Sequence, residues 1–364
     1  MHRFALVLSI LALAVAVQAG TAAALGFNVN VTYDAFDALP GDLKCDDGTG
    51  NCTLRAAIQE SNATAAFDDI TVPGGVYQLT LVGPGAAGDL DVYTPMRING
   101  PSGPRRTIVD GIGADRVFDL RSTDATIRGL MIRGGREFDG AGIRTVNSTL
   151  GVFWADLWVD NASYGGGIAA YDSRLKLSGV TFVDDTSTDF GGAIYLYAPS
   201  GAGSADLENV TIHGNASKRG GGIFSNNVPL RLRNVTIANN NAALGGGIYH
   251  LGVPPDSYNT IVALNGGQDC ANPITSAANN LDSDGTCGFF NPGDLPFTNP
   301  ILDPLAFVGS PLFFPFPTPN WVRPLNPLSP AVNAGNPATC STVDERNFLR
   351  PLPGSCDIGA FELP

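Results

Sequence analysis

The sequence predicts an all-β chain wound as a right-handed, single-stranded parallel β-helix of about eight coils. Three observations carry this. The phrase Gly-(Gly/Ala)-(Gly/Ala)-Ile starts at Gly140, Gly165, Gly191, Gly220 and Gly245, with steps of 25, 26, 29 and 25 residues. A fixed period of that size marks one small unit stacked on itself. A second phrase, Asn-Val-Thr-Ile-x-x-Asn, spans 209–215 and 234–240, with looser copies over 180–185 and 259–265. Between them, Leu230-Arg231-Leu232-Arg233 and Val235-Thr236-Ile237 alternate as strands do. No run holds helical spacing long enough for a helical solenoid, and parallel crossovers favour the right-handed coil.

Taken in order, residues 1–19 read as a secretory signal peptide. Met1-His2-Arg3 supplies the positive start, Phe4 to Val17 the apolar core, and Val17-Gln18-Ala19 the small residue before cleavage. An exported chain places the protein outside the cell or at the cell surface. Residues 26–66 form an N-terminal cap. Within it Leu54–Asn62 is a helix with Leu54, Ala57 and Ile58 on one face and Thr53 as N-cap, Ala56 standing where a capping-box glutamate would. Such a helix would cover the open apolar end that a stack of repeats leaves. Residues 67–270 are the coils, and 271–364 a proline-rich, disulfide-bearing C-terminal region.

Within the coils, lap alignment sets Val210 on Val235, Ile212 on Ile237 and Ile223 on Ile248, all inward. An asparagine column (Asn161, Asn215, Asn240, Asn265, with Asp185 substituting) fits a turn that tolerates left-handed backbone and stacked amide bonds. The triple glycines mark a corner with no room for a Cβ. Six cysteines admit fifteen pairings. Their local grouping favours Cys45–Cys52, Cys270–Cys287 and Cys340–Cys356, and no Cys-x-x-Cys pair or nearby histidine points to zinc.

Cys52-Thr53-Leu54-Arg55-Ala56-Ala57-Ile58-Gln59-Glu60-Ser61-Asn62 resembles the CSLREA motif of secreted bacterial β-helix proteins, and the glycine laps resemble repeats of polymorphic outer-membrane proteins. Ser329-Pro330-Ala331-Val332-Asn333-Ala334-Gly335 and Cys356-Asp357-Ile358-Gly359-Ala360-Phe361-Glu362 are similar to the choice-of-anchor Q domain. The resemblance implies an exported right-handed β-helix of the pectin-lyase-like type, in proteins mostly without an assigned activity.

The net charge of −13 argues against nucleic acid as a partner. No later segment has the length of apolar residues that a membrane helix needs. Neither a phosphate-binding loop nor a calcium-binding nonapeptide repeat occurs, so no cofactor or metal is expected. Asp184 and Asp185, with His213 one lap later, are the nearest approach to a glycosidase constellation. Lap alignment assigns Asp185 to the asparagine column and leaves no catalytic set. Arg128, Arg133 and Arg136 could face Asp139 or Asp156. Tyr195, Phe224 and Tyr249 follow the inward isoleucines of successive laps and point outward, a stripe suited to stacking on sugar rings. The expected function is therefore non-enzymatic binding or adhesion to a polysaccharide or surface protein. A polysaccharide lyase or hydrolase is the first alternative, and a structural envelope or matrix component the second.

Overall fold

A computed structural model describes residues 24–64, 66–83, 85–101, 107–309, 320–350 and 354–364. The expected signal peptide over 1–19 lies outside the described residues. The chain is a parallel β-helix of about eight coils. One face is a seven-stranded sheet running from Leu90–Val92 through Phe118–Arg121, Ile143–Val146, Ile168–Tyr171, Ile194–Tyr197 and Ile223–Asn226 to Ile248–Leu251. The other faces merge into a 15-stranded sheet. Its long members, Thr149–Trp158, Arg174–Val183, Ser204–His213 and Leu230–Ala238, each bend from one face onto the next. The bend falls on Trp154, Gly179, Asn209 and Asn234, whose φ angles are +49°, +66°, +53° and +50°. Glycine and asparagine enter this left-handed region most easily, which explains why the second repeated phrase begins with Asn.

Register bears out the inward set. Val210 pairs with Val235, Ile212 with Ile237, and Ile223 with Ile248, all without solvent exposure. Each buried aliphatic contributes roughly 1.5–3 kcal/mol, so the column repeated lap after lap is the main cohesive term. The glycine corner is as tight as expected. At Gly220 (φ +66°) a Cβ would lie 2.3 Å from the Ile223 carbonyl oxygen.

The asparagine column exists, with one correction. Its members are Asp160, Asp185, Asn215, Asn240 and Asn265, since Asn161 pairs with Thr186 one position further along. The left-handed turn is taken by the residue before, at Val159, Asp184, Asn239 and Leu264. The ladder residue itself turns inward. The main-chain N–H of Asp185 donates to Asn215 Oδ1 at 2.8 Å, that of Asn215 to Asn240 Oδ1 at 2.9 Å, and that of Asn240 to Asn265 Oδ1 at 2.9 Å. Side-chain amides of Asn215 and Asn240 donate along the same line.

Asp160 and Asp185 occupy this column with no exposure, and burial holds both carboxyls protonated well above the usual range. Each neutral acid stands where a later lap has an amide.

The helix Leu54–Asn62 forms as expected, capped by Thr53, whose hydroxyl accepts from the Ala56 N–H at 3.0 Å. It buries Leu54, Ala57 and Ile58. Arg55 is equally buried. It pairs with Asp34 at 2.7 Å and donates to the carbonyls of Ala86, Gly88 and Asp89, binding the helix to the first coils. The three cysteine pairs are those expected from their grouping.

The C-terminal region lies as a strap across the outward side of the long strands. Asn209 Nδ2 donates to the Val343 carbonyl at 2.9 Å, the Ser341 N–H to Asn234 Oδ1 at 3.0 Å, and the Asn336 N–H to Asn259 Oδ1 at 2.8 Å. Hydroxyls of Thr181 and Thr211 both donate to Glu345, and the Ala360 N–H donates to Thr236. The strap has its own buried charges, Arg350 on Glu362 at 2.7 Å and Arg346 stacked on the Phe361 ring at 3.8 Å. Irregular as the sequence suggests, it still contains an antiparallel pair, Ala306–Val308 with Asn320–Val322.

Two outcomes follow. A carboxyl whose folded pKa is raised binds its proton more tightly in the folded state. Its stabilising effect is complete below the unfolded value near 4 and is lost as pH rises through the folded value. Asp185→Asn should therefore raise stability at pH 7 by about 1 kcal/mol or more and flatten the decline between pH 4 and 7, read by urea denaturation across pH. Asn234→Ala should cost about 2–4 kcal/mol by straining the bend and freeing the strap, and Asn234→Gly less, because glycine keeps the backbone.

Candidate functional site

The outward side of the seven-stranded sheet concentrates chemistry that the scaffold does not need. Pairing register sets Asp91, Asp119, Arg144, Ala169, Tyr195, Phe224 and Tyr249 in one column along the helix axis. Inward neighbours on the same strands, Phe118, Ile143, Ile168, Ile194, Ile223 and Ile248, are fully buried. Alternation therefore forces the named column out. Its first half is charged and its second half aromatic.

The aromatic half is wider than three rings. Tyr195 and Phe224 stack 5.3 Å apart, and Tyr249 meets Phe224 edge-on at 5.6 Å. Phe224 is enclosed by Phe190, Tyr195 and Tyr249, which leaves it 3% exposed. Tyr171 and Tyr197 stand two residues further along their strands and touch Tyr195 at 5.6 and 6.3 Å. On the turn side Phe138, Tyr164 and Phe190 continue the contact, with Arg219 over the Phe190 ring at 5.1 Å. Phe138 is 60% exposed at the margin. Two contacts, Tyr164–Phe190 and Tyr195–Phe224, are stacked, and the others are tilted or edge-on, so the rings interlock instead of forming one flat stack. Burial raises the Tyr195 hydroxyl to about 12 and the Tyr171 hydroxyl further, so both stay protonated donors at neutral pH.

The charged half is an ion-pair lattice. Arg116 reaches Asp89 at 2.9 Å and Asp139 at 2.8 Å, Arg144 reaches Asp119 at 2.5 Å and Asp139 at 3.4 Å, and Arg121 pairs with Asp119. Carboxylate oxygens of Asp89, Asp91 and Asp119 gather within 4.8 Å of one another. Such oxygens could ligate a hard cation, but guanidinium groups already engage Asp89 and Asp119. Burial raises Asp89 to about 6 against the pull of Arg116. Burial acts on Asp119 too, yet hydrogen bonds from Arg144 and Arg121 carry it below the ordinary value.

Asp184, Asp185 and His213 do not converge. Asp185 is a ladder residue without exposure, while Asp184 is exposed at the left-handed corner. His213 holds the Ala238 carbonyl at 3.1 Å through Nδ1, and burial with Arg323 nearby lowers its pKa. Neighbouring aspartates on opposite sides of the wall cannot flank one bond. The expected arginine partners differ as well. Arg133 pairs with Asp110, Arg128 lies over Phe153 and Trp154, and Asp139 goes to Arg116 and Arg144.

Sequence reasoning passed over Tyr171 and Tyr197, which share a position three residues after the lap isoleucine and were visible there. It also passed over the Asp–Arg lattice, because the lap at Phe118 lacks the glycine phrase that anchored the alignment. Arg116→Met should destabilise the fold by roughly 3 kcal/mol at pH 7, as it strands buried carboxylates. The loss should shrink below about pH 6 as Asp89 takes up its proton, a difference read from thermal melts at both pH values.

No protein-family profile matches the chain, and no curated protein matches it in sequence. Among solved structures, a crystal structure of pectate lyase Pel9A is similar over 95% of this chain and 98% of that one, at 14% identity and a TM-score of 0.39. Nothing about activity follows from a likeness of that size.

Proposed function

We propose that the protein is a non-catalytic binder of an extended polysaccharide, which lies along the aromatic half of the seven-stranded face. The observation that supports this is the connected group of eight rings, Phe138, Tyr164, Tyr171, Phe190, Tyr195, Tyr197, Phe224 and Tyr249. Rings one lap apart form a track along the axis rather than a pocket. A linear glycan offers matching chemistry, with C–H groups for the π faces of the rings and hydroxyls to pair with the phenol groups. The partner would be a cell-surface or extracellular glycan, in keeping with the signal peptide expected from the sequence and with three disulfides.

A hydrolase is the second reading, and one observation favours it. Asp89, raised to about 6, lies beside an Asp119 held ionised, and an acid next to an ionised partner is how paired carboxylates divide their roles. Against it, Asp119 is fully buried and engaged by two arginines.

Affinity electrophoresis in gels containing soluble polysaccharides tests the first reading. At least one should retard the protein, with Tyr195→Ala and Tyr197→Ala weakening retardation about tenfold each, the loss of an aromatic anchor. Retardation unchanged in both variants would remove this face from consideration. Release of reducing ends that disappears in Asp89→Asn would establish the hydrolase instead.

A further inference from the structure

We propose that the protein carries a second, separate sugar site, a tryptophan-walled cleft that seats a pyranose ring of a neutral glycan. The chain has three tryptophans, and two of them, Trp158 and Trp321, line this cleft on the outward side of the 15-stranded sheet. The cleft has a volume of about 650 Å³, within the range of small-ligand sites. It lies beside coils that the described part of the strap does not bond to.

Its floor is built by register. Ile108 pairs with Met131, and the adjoining outward column is Asp110, Arg133 and Trp158. Its wall comes from the antiparallel pair, on which Phe307 and Trp321 are directly opposite. Trp321 meets Trp158 at 4.8 Å with planes 81° apart and lies 5.7 Å from Phe307. Two indole planes at nearly a right angle make an aromatic corner open to solvent. Along the same sheet Thr181, Thr211 and Thr236 are covered by the strap. Phe307 and Val159, by contrast, remain 43% and 59% exposed. Among the described residues nothing covers this apolar surface, as is usual for binding surfaces.

The ligand class follows from what the corner combines. A pyranose has an apolar C–H face and a rim of hydroxyls. The aromatic corner takes the face. At the side Arg133 and Asp110, joined at 2.8 Å, offer guanidinium donors and carboxylate acceptors to neighbouring hydroxyls. That pair cancels in charge, and the chain as a whole carries −13, so a polyanionic glycan gains nothing here and is repelled at long range. A neutral sugar fits. The site lies on a different sheet from the tyrosine face and shares no residue with it, so neither depends on the other.

Tryptophan emission separates this cleft from the tyrosine face, which has no tryptophan, and a Trp154→Phe background removes the signal of the tryptophan outside the cleft. The full chain is titrated with cellohexaose, xylohexaose and mannohexaose, with a galacturonic acid hexamer as the charged comparison. The expected result is a saturable change in emission with at least one neutral hexaose and a weaker one or none with the acidic hexamer. Phe307→Ala, at a position 43% exposed, should weaken that response about tenfold or more. Arg133→Met should weaken it as well, with melting followed by circular dichroism to confirm that both variants remain folded. No saturable response to any neutral hexaose, equal affinity in folded Phe307→Ala, or tighter binding of the acidic hexamer would each overturn the assignment.

Discussion

In-register parallel stacking is the constraint on which the rest of this molecule depends. Each residue lies one strand spacing, about 4.8 Å, from its counterpart in the next coil. A position suited to one coil must therefore suit all, and its neighbours above and below are its own kind. This is why the interior runs as columns of aliphatics, and why left-handed corners recur at fixed places. It also explains the ladder. A buried turn leaves main-chain N–H groups that neighbouring strands do not reach, and a side-chain oxygen from the next coil satisfies each of them. Asparagine does this as a neutral group. Aspartate accepts the same bond, but burial raises its pKa well above the usual range, and Asp160 and Asp185 are the two coils where the column departs from its rule.

The outward columns obey the same constraint with a different outcome. Facing side chains touch along the axis, so charges gather in one half of the column and rings in the other. Arg144 pairs with Asp119, which also faces the like charge of Asp91, and beyond Ala169 the rings of Tyr195, Phe224 and Tyr249 pack together. Packing against rings on several sides is why Phe224 is nearly buried although it stands on the outer surface. This ring cluster shares no residue with the corner formed by Trp158 and Trp321.

What could be read from the sequence divides along physical lines. Lap-to-lap features were legible because the period repeats them. The pairings of Val210, Ile212 and Ile223 came from alignment alone, as did the Gly220 corner and the place of Asp185 in the ladder. The helix at Leu54 was legible from local spacing. Asn161 was misplaced by one residue because the turn before it, at Val159, bears no glycine or asparagine to mark it. Contacts between distant segments left no periodic trace. Nothing in the phrase Asn-Val-Thr-Ile announces that Asn209 and Asn234 hold residues more than a hundred positions away, or that Thr181 and Thr211 share Glu345. The tryptophan corner is of this type too, built from Trp158 and a hairpin beyond the coils.

The strap changes what sort of object the coil is. A stack of near-identical units, each touching only its neighbours, opens from whichever end is weaker, one coil after another. Here one segment is bonded to Thr181, Asn209, Thr211, Asn234, Thr236 and Asn259, spanning four successive coils. None of those coils can peel away while the strap stays in place, and the strap cannot leave without breaking with all of them. A linear array has in this way been given a tie-rod. The coils from 180 to 260 share one fate, and gradual fraying is confined to the ends that the tie-rod does not reach.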